Sequence, residues 1–211
     1  MVKVKICGIT NWADARRCAE AGVDMLGFNF YRQSPRYIAP SAAKRIARRL
    51  PRRIATVGVF VNESEDRIRE IARMVGLDYI QLHGEESPAA IARLRSTARV
   101  IKAIRVQRSF RVAHLDRFQN ASAILLDGFD GKRHGGSGKT FDWRIARRAT
   151  RARRIFLAGG LKAENVADAL FTVKPYAIDI CSGVESKPGK KDPARLDKLM
   201  RAVRVARRNS R

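Results

Sequence analysis

The chain has 211 residues, 45% of them hydrophobic, which is enough for one well-buried domain over residues 1–211 and short for two. Its three cysteines lack paired spacing, which argues against a disulfide framework and a zinc site. The sequence has no signal-peptide core and no run of about 20 apolar residues, which argues against secretion and a membrane span. We therefore expect a soluble, cytoplasmic protein, and the formal net charge of +24 raises the question of a polyanionic partner such as nucleic acid.

Short runs rich in β-branched residues recur along the chain, and each is followed by a segment of helical periodicity. The predicted strands are Val2 to Ile6, Met25 to Phe28, Thr56 to Val61, Tyr79 to Leu82, Val100 to Ile104, Ala123 to Leu126, Ile155 to Ala158 and Ala177 to Ile180. Helix starts are indicated by Ser41 after Pro40, by the acidic Glu63, Glu65 and Asp66, by Ser87-Pro88 and by Asp192-Pro193. Gly22 and Gly76 indicate helix ends that lead into the next strand.

Single strands that alternate with single helices are typical of right-handed βαβ units and a parallel sheet. Eight such repeats predict an α/β fold, a single-domain (β/α)8 TIM barrel near the lower end of the size range of that fold. A doubly wound open sheet is the structural alternative. The one long irregular segment runs from Gly128 to Trp143.

Three basic runs account for much of the positive charge, and they cover residues 44–53, 144–154 and 195–211. In each run the cations alternate with apolar residues at helical spacing, as Leu196, Leu199 and Val203 do in the last. This pattern is typical of amphipathic helices with a solvated outer face. We therefore do not expect nucleic acid as a partner, although a basic polyanion-binding protein on a barrel scaffold remains the alternative.

The residues just after each strand deserve the closest inspection, because the active site of a TIM barrel lies at the carboxyl ends of its strands. Polar and small residues dominate these positions, which are Cys7, Asn29, Asn62, His83, Arg105, Asp127, Gly159, Gly160, Ser182 and Gly183.

Two glycine-containing motifs, LAGGL and CSGVE, follow the seventh and eighth strands. Gly159, Gly160, Ser182 and Gly183 of these motifs let backbone N–H groups approach an anion closely, and the same two loops are the usual phosphate site of the fold. Glycines also serve tight turns, so each motif alone is a weak signal. Together they predict a phosphorylated small molecule as the ligand.

Cys7 and Asp127 form a plausible acid/base pair within the same set. A thiol can act as a base when a nearby cation favours its thiolate, and a partly desolvated carboxylic acid can donate a proton. Strand alternation puts Lys5 on the same face as Cys7, so a cation is expected beside the thiol. The alternatives are that Cys7 merely fills the core and that Asp127-Gly128 is only a turn.

With these residues collected, the sequence closely resembles the phosphoribosylanthranilate isomerase family. The matching motifs are KICGIT, LGFNFY, SPRYI, VGVFVN, QLHGEE, VIKAI, ILLDG, GGSGKTFDW, LAGGL with ENV, and IDICSGVESKPGKKD. The resemblance implies an Amadori rearrangement of N-(5-phosphoribosyl)anthranilate in tryptophan biosynthesis, without cofactor or metal. An acid protonates the furanose ring oxygen, and a base then removes the C2 proton.

The resemblance also implies roles for particular residues. Cys7 would be the general base and Asp127 the general acid, while Arg36 would bind the anthranilate carboxylate. His83 and Asp179 would line the substrate pocket, although His83 can also be read as a histidine that caps a strand. The phosphate would meet the backbone around Gly160, Ser182 and Gly183. Cys18 is expected only to pack, and Cys181 stands where relatives often carry serine.

Other functional readings are weaker. GGSGKT imitates a nucleotide-binding P-loop, but the first glycine of that motif would have to be residue 133, which is Arg133. A mobile loop over the active site, within residues 128–143, is the favoured reading of that segment. Indole-glycerol-phosphate synthase chemistry relies on lysine at strand ends, where this chain has Cys and Asp. Either a monomer or a homodimer is compatible with the sequence.

Overall fold

Eight parallel strands form the centre of the structure, a computed structural model that describes residues 1–107, 109–128 and 142–209. The strands are β1 (Lys3–Ile6), β2 (Met25–Asn29), β3 (Ala55–Phe60), β4 (Tyr79–Leu82), β5 (Arg99–Val106), β6 (Ala123–Gly128), β7 (Ile155–Leu157) and β8 (Ala177–Ile180). They pair in chain order, and β8 pairs with β1 to close the barrel. This closure confirms the TIM barrel and rules out the open doubly wound sheet.

Helices connect successive strands on the outside of the barrel. The α-helices are α1 (Trp12–Ala21), α2 (Pro40–Ala47), α3 (Glu65–Val75), α4 (Pro88–Leu94), α5 (Trp143–Ala149), α6 (Val166–Val173) and α7 (Pro193–Asn209). A 3-10 helix, Val112–Phe118, takes the place of an α-helix after β5. After β8, the 3-10 turn Ser182–Val184 leads into a small antiparallel hairpin of β9 (Glu185–Lys187) and β10 (Lys190–Lys191), which the sequence patterns do not predict.

Apolar residues on the two faces of each strand form two separate cores. One face fills the barrel interior, where Met25, Val57, Leu125 and Phe156 pack together. The other face packs against the helices in a larger cluster. Both faces are buried, which explains why the strands read as nearly continuous apolar runs and not as alternating ones.

The helix boundaries follow the predicted signals with one exception. Ser87 accepts a hydrogen bond from the N–H of Ala90 at the start of α4, and Gly22 and Gly76 adopt left-handed conformations after α1 and α3. The exception is α2, which begins at Pro40 with Ala39 in the cap position. Proline suits the first helical position, because an N–H there would have no partner in the helix. Ser41 therefore lies inside the first turn and is not the N-cap residue.

The basic runs lie on the outer surfaces of helices, as predicted. In α7 the side chains of Leu196, Leu199 and Val203 are buried, whereas Arg201 and Arg204 are exposed. None of the helices in the described part of the chain has both the length and the apolar composition needed to span a bilayer. The predicted active-site loop includes residues 129–141, which lie outside the described residues.

Candidate active site

A cavity of about 720 Å³ lies at the carboxyl ends of the strands. The predicted site residues that line it are Cys7, Arg36, His83, Asp127, Gly159, Gly160, Asp179 and Ser182. Gly183 instead lines an adjoining concavity of about 530 Å³, which also contacts Gly160 and Ser182. Parallel strands that close into a barrel bring these residues together from almost the whole length of the chain.

Cys7 is the first residue after β1, and its position is tightly defined. Its N–H donates to the carbonyl of Ile180 at 2.8 Å, so the pairing with β8 continues past the end of the strand. On the other side lies Gly27 of β2. A Cβ at that position would be 2.9 Å from the Cys7 sulfur and 3.1 Å from the Lys5 ammonium. Gly27 therefore leaves the space that the thiol and its neighbouring cation occupy.

Replacing Gly27 by alanine should displace the Cys7 thiol, because the new methyl group would lie closer to the sulfur than van der Waals contact allows. A misplacement on the order of 1 Å can cost about a hundredfold in rate, so we expect kcat to fall by that order. Gly76→Ala is the control for the added methyl group. At Gly76 that methyl would meet open space, and the variant is strained only by the backbone φ of 76°. Equal kcat values for the native chain and Gly27→Ala would contradict this account.

A buried ion pair lies beneath the Cys7 thiol. Lys5 is fully buried, and its ammonium donates to Asp179 Oδ1 at 2.9 Å. Burial alone would lower the pKa of Lys5, but the charges of Asp179 and Cys7 raise it, so the group stays a cation. Burial raises the pKa of Asp179 to about 6, because Lys5 offsets only part of the desolvation. The predicted cation beside the thiol is present.

Cys181 and Lys191 also act on the Cys7 thiol, and neither role was predicted. The neighbouring Cys181 thiol, together with the charges of Lys5 and Lys191, lowers the pKa of Cys7 although burial opposes that change. Lys191 is nearly fully buried and donates to the Cys7 carbonyl at 2.5 Å. By contrast, burial raises the pKa of Cys18 to about 12. Cys7 is thus the thiol poised to ionise.

Replacing Lys5 by methionine should raise the pKa of the Cys7 thiol, because the thiolate loses a buried cation beside it. The pH profile of Cys7 alkylation by iodoacetamide should then shift to higher pH, with less thiolate at neutral pH. Lys3→Met is a matched control on the same strand, since Lys3 lies 5.5 Å from the centre of the Tyr176 ring, away from the cavity. An unchanged profile in Lys5→Met would refute the role of this cation.

Asp127 lines the same cavity near the end of β6 and is 7% exposed. His83 Nε2 is 3.5 Å from Asp127 Oδ2, while the other ring nitrogen, Nδ1, lies 3.0 Å from Gln81 Nε2. The Gln81 amide donates to Nδ1, so the imidazole carries its proton on Nε2 and presents it to Asp127. His83 therefore contacts the candidate acid as well as lining the pocket.

Gln81 has a second polar atom that faces no protein partner. Its side chain is 1% exposed, and Oε1 is buried without a hydrogen bond among the described residues. A buried acceptor without a partner costs free energy, about 1–3 kcal/mol. Because Gln81 also lines the cavity, this oxygen can accept a hydrogen bond from a bound hydroxyl group.

Arg36 is held at the cavity by Glu185. The guanidinium Nε and Nη2 donate to the two carboxylate oxygens at 2.7–3.1 Å. Glu185 also accepts from Lys191 Nζ at 2.9 Å. Burial would raise the pKa of Glu185, but the hydrogen bond from Arg36 and the charge of Lys191 lower it. Arg36 is therefore an oriented cation with its Nη1 nitrogen left to contact a ligand.

The glycines after β7 and β8 lie where an anion can approach the backbone. Gly159 and Gly160 have φ values of 88° and 64°, and a Cβ at Gly183 would be only 2.0 Å from the carbonyl oxygen of Leu161. Among the described residues, the N–H groups of Gly160, Ser182 and Gly183 donate to no protein acceptor. These N–H groups are thus available to an anionic ligand.

The described ranges contain no group of three or more His, Cys, Asp or Glu side chains that could hold a metal ion. The described lining of the cavity presents a thiol with a lowered pKa, a carboxyl group, an oriented guanidinium and backbone donors.

Gln81, Gly27, Glu185 and Lys191 are the residues that the sequence reasoning missed. Gln81 and Glu185 lie within the motifs QLHGEE and CSGVE, next to residues that were chosen. A buried polar residue two positions before His83 shares its face of the strand, and this was the available signal for Gln81. Lys191 lies within the motif IDICSGVESKPGKKD, but its residue type did not single it out in a chain with 44 Lys and Arg residues.

Comparison with known proteins identifies relatives over almost the full length of the chain. The sequence model of a family described as N-(5'phosphoribosyl)anthranilate (PRA) isomerase matches residues 4–202. A curated relative from Citrifermentans bemidjiense, named N-(5'-phosphoribosyl)anthranilate isomerase, is 50% identical over 200 residues, which are 95% of this chain and 96% of the relative.

Solved structures show the same similarity. A crystal structure of phosphoribosyl anthranilate isomerase from Thermotoga maritima is 41% identical with a TM-score of 0.91, and the match covers 97% of this chain and 100% of that one. Another, of the isomerase in complex with reduced 1-(o-carboxyphenylamino)-1-deoxyribulose 5-phosphate, is 39% identical with a TM-score of 0.87 and the same coverage. The matches extend over the barrel and do not rest on one motif.

Proposed function

The chain belongs to the N-(5'-phosphoribosyl)anthranilate isomerase family, and from that premise we propose how its own residues carry the reaction. The reaction is the Amadori rearrangement of N-(5'-phosphoribosyl)anthranilate to 1-(2-carboxyphenylamino)-1-deoxyribulose 5-phosphate, a step of tryptophan biosynthesis. The observation that supports this assignment best is one cavity lined by Cys7 and Asp127 from non-adjacent strands, together with Arg36 and the glycine turns.

Asp127 supplies the proton for the first step. The furanose ring opens when its oxygen is protonated and the bond from that oxygen to C1 breaks, which leaves an imine between C1 and the anthranilate nitrogen. Burial of Asp127 keeps competing water away from the carboxyl group. The adjacent Nε2–H of His83 holds Oδ2 in place, and Oδ1 lies against Gly159.

Cys7 removes the proton from C2 in the second step. The electron pair of the broken C–H bond forms the C1–C2 double bond of an enolamine, which then tautomerises to the ketone. A base with a pKa near the operating pH is the most effective, and the surroundings of Cys7 lower its thiol pKa in that direction. Asp179, which is paired with Lys5, is within electrostatic range of both the acid and the base, whose charges raise its pKa.

Arg36 binds the anthranilate carboxylate through charge-assisted hydrogen bonds. Replacing Arg36 by glutamine should raise KM by about tenfold to a hundredfold, because hydrogen bonds to charged groups contribute about 1.5–3 kcal/mol. Steady-state kinetics measures this change. Arg32→Gln is the control, since Arg32 is exposed on the same loop. An unchanged KM in Arg36→Gln would assign the carboxylate to another cation.

The backbone N–H groups of Gly160, Ser182 and Gly183 bind the 5'-phosphate. Lys162, Arg195 and Lys198 line the adjoining concavity together with Glu164, which pairs with Lys198. Cations therefore outnumber carboxylates around the phosphate. Cys181 replaces the serine of many relatives, but main-chain donors do not depend on that side chain.

A monomer or a homodimer can carry out this reaction, because each residue assigned a role lines the cavity or the adjoining concavity of one chain. Activity per subunit should therefore not change with protein concentration. Light scattering on a sizing column measures the assembly, and a loss of activity on dilution through a dimer–monomer transition would contradict a self-contained site.

The direct test follows the loss of anthranilate fluorescence when the purified protein meets freshly made phosphoribosylanthranilate. We expect rapid turnover that needs no added metal or cofactor. A native chain without turnover would refute the proposal and bring forward the reading of a basic scaffold, for which salt-sensitive binding of RNA is the measurement.

A further inference from the structure

Cys7 and Cys181 lie opposite each other at the ends of two paired strands. In the register of β1 and β8, Lys5 is opposite Asp179 and Ile6 is opposite Ile180. The Cys7 N–H bond to the Ile180 carbonyl extends this register by one residue. Neighbouring strands lie about 4.8 Å apart, which falls within the Cα separation of roughly 4.4–6.8 Å that a disulfide requires.

The two thiols also point in the same direction. Lys5 and Asp179 form an ion pair through their side chains, and Cys7 and Cys181 lie two positions further along the same strands, so they share that face. Both cysteines line the active-site cavity and are partly accessible. The two thiols are close enough for each to shift the pKa of the other, and the Cys181 thiol donates to Glu185 Oε1 at 3.8 Å.

We propose that Cys7 and Cys181 are an oxidation site, at which a peroxide converts the two thiols into a reversible intramolecular disulfide. This inference goes beyond the isomerase reaction. It depends on the proposed role of Cys7 only for its effect on activity, because disulfide formation itself requires no isomerase chemistry.

The chemistry proceeds in two steps. The Cys7 thiolate attacks one oxygen of hydrogen peroxide, the O–O bond breaks, and the sulfur becomes a sulfenic acid while hydroxide leaves and is protonated to water. The Cys181 sulfur then attacks the Cys7 sulfur, the S–S bond forms, and the S–O bond breaks. The leaving hydroxide takes the Cys181 proton and becomes a second water. Two thiols are oxidised by two electrons, and one peroxide is reduced to two waters.

The surroundings assign the two roles. Lys5 and Lys191 favour the Cys7 thiolate, which is the form that attacks peroxide. The neighbouring Cys7 sulfur and burial raise the pKa of Cys181, so Cys181 stays a thiol until the sulfenic acid forms and then acts as the resolving residue. Cys18 is fully buried on α1 and takes no part.

Oxidation removes the base and blocks the cavity between β1 and β8, so activity is lost. Reduction by dithiothreitol regenerates both thiols and restores it. Without Cys181, the sulfenic acid at Cys7 has no resolving thiol and proceeds to the sulfinic acid, which dithiothreitol does not reverse.

The test treats the native chain, Cys181→Ser and Cys18→Ala with hydrogen peroxide, quenches with catalase, and counts free thiols after unfolding. In the native chain we expect the three thiols to fall to one, with a Cys7–Cys181 linked peptide in the digest. Dithiothreitol should restore the activity of the native chain and of Cys18→Ala but not that of Cys181→Ser.

Three free thiols after peroxide treatment of the native chain would overturn the proposal, as would a linked peptide that contains Cys18. Equal recovery of Cys181→Ser and the native chain in dithiothreitol would also overturn it. If the native chain lacks isomerase activity, the thiol count and the peptide map still decide this question independently of the proposed function.

Discussion

Cys7→Ser should lower kcat by about two to four orders of magnitude, which is the range that a positioned general base contributes. Serine keeps nearly the same shape but does not ionise near neutral pH, so no group at this position accepts the C2 proton. The surrounding cations, Lys5 and Lys191, stabilise an anion that the variant no longer forms. Anthranilate fluorescence under saturating substrate gives kcat directly.

Cys18→Ala is the matched control for Cys7→Ser. Cys18 is a buried thiol on the first helix whose pKa burial raises to about 12, so its loss alters packing without removing a reactive group. We expect near-native kcat for Cys18→Ala and a modest loss of thermal stability. If Cys7→Ser turns over within a few-fold of the native chain, the base is a different residue, and Asp179 is the first to examine because it lies beside Lys5.

Asp127→Asn is expected to have an effect of similar size, about 10²–10⁴-fold in kcat, because the amide has no acidic proton to give to the ring oxygen. The amide keeps the volume of the carboxyl group. It also keeps an oxygen at the position 3.5 Å from His83 Nε2, so the fold should be unaffected. Circular dichroism during thermal unfolding checks this.

Asp116→Asn serves as the control for Asp127→Asn, since Asp116 is exposed on the 3-10 helix after β5. Its kcat should equal that of the native chain. Substantial turnover in Asp127→Asn would transfer the acid role to a neighbouring group, and a His83→Ala variant would then show whether the imidazole supplies the proton. Stable but inactive Asp127→Asn protein is the result that supports the assignment.

Much of the architecture follows from local patterns. The eight strands were predicted to within one or two residues of their observed ends, because runs such as Ala123 to Leu126 combine β-branched and large apolar residues between turn signals. The glycine helix ends also follow from local backbone preference, since only a residue without Cβ enters the left-handed region cheaply. The 3-10 helix after β5 and the β9–β10 hairpin did not follow, because their short segments carry no clear periodicity.

The candidate site could be predicted in part. Position after a strand singles out Cys7, His83 and Asp127 without knowledge of their neighbours, because the fold places every strand end at one face. The acid/base pairing of Cys7 with Asp127 was inferred from the residue types, the family resemblance implied the same roles and added His83 as a pocket residue, and all three roles stay predictions until the variants are measured.

The sequence by itself thus determined the alternation of strands and helices, the fold class and the kinds of side chain that meet at the carboxyl ends of the strands. The tertiary structure decided which of them interact. Lys5 pairs with Asp179 across 174 positions of the chain, and Arg36 pairs with Glu185 across 149. The physical reason is barrel closure: when β8 pairs with β1, groups from the two ends of the chain come within a few ångströms in a buried site. There, charge and desolvation set the protonation of Cys7, which no local sequence pattern specifies.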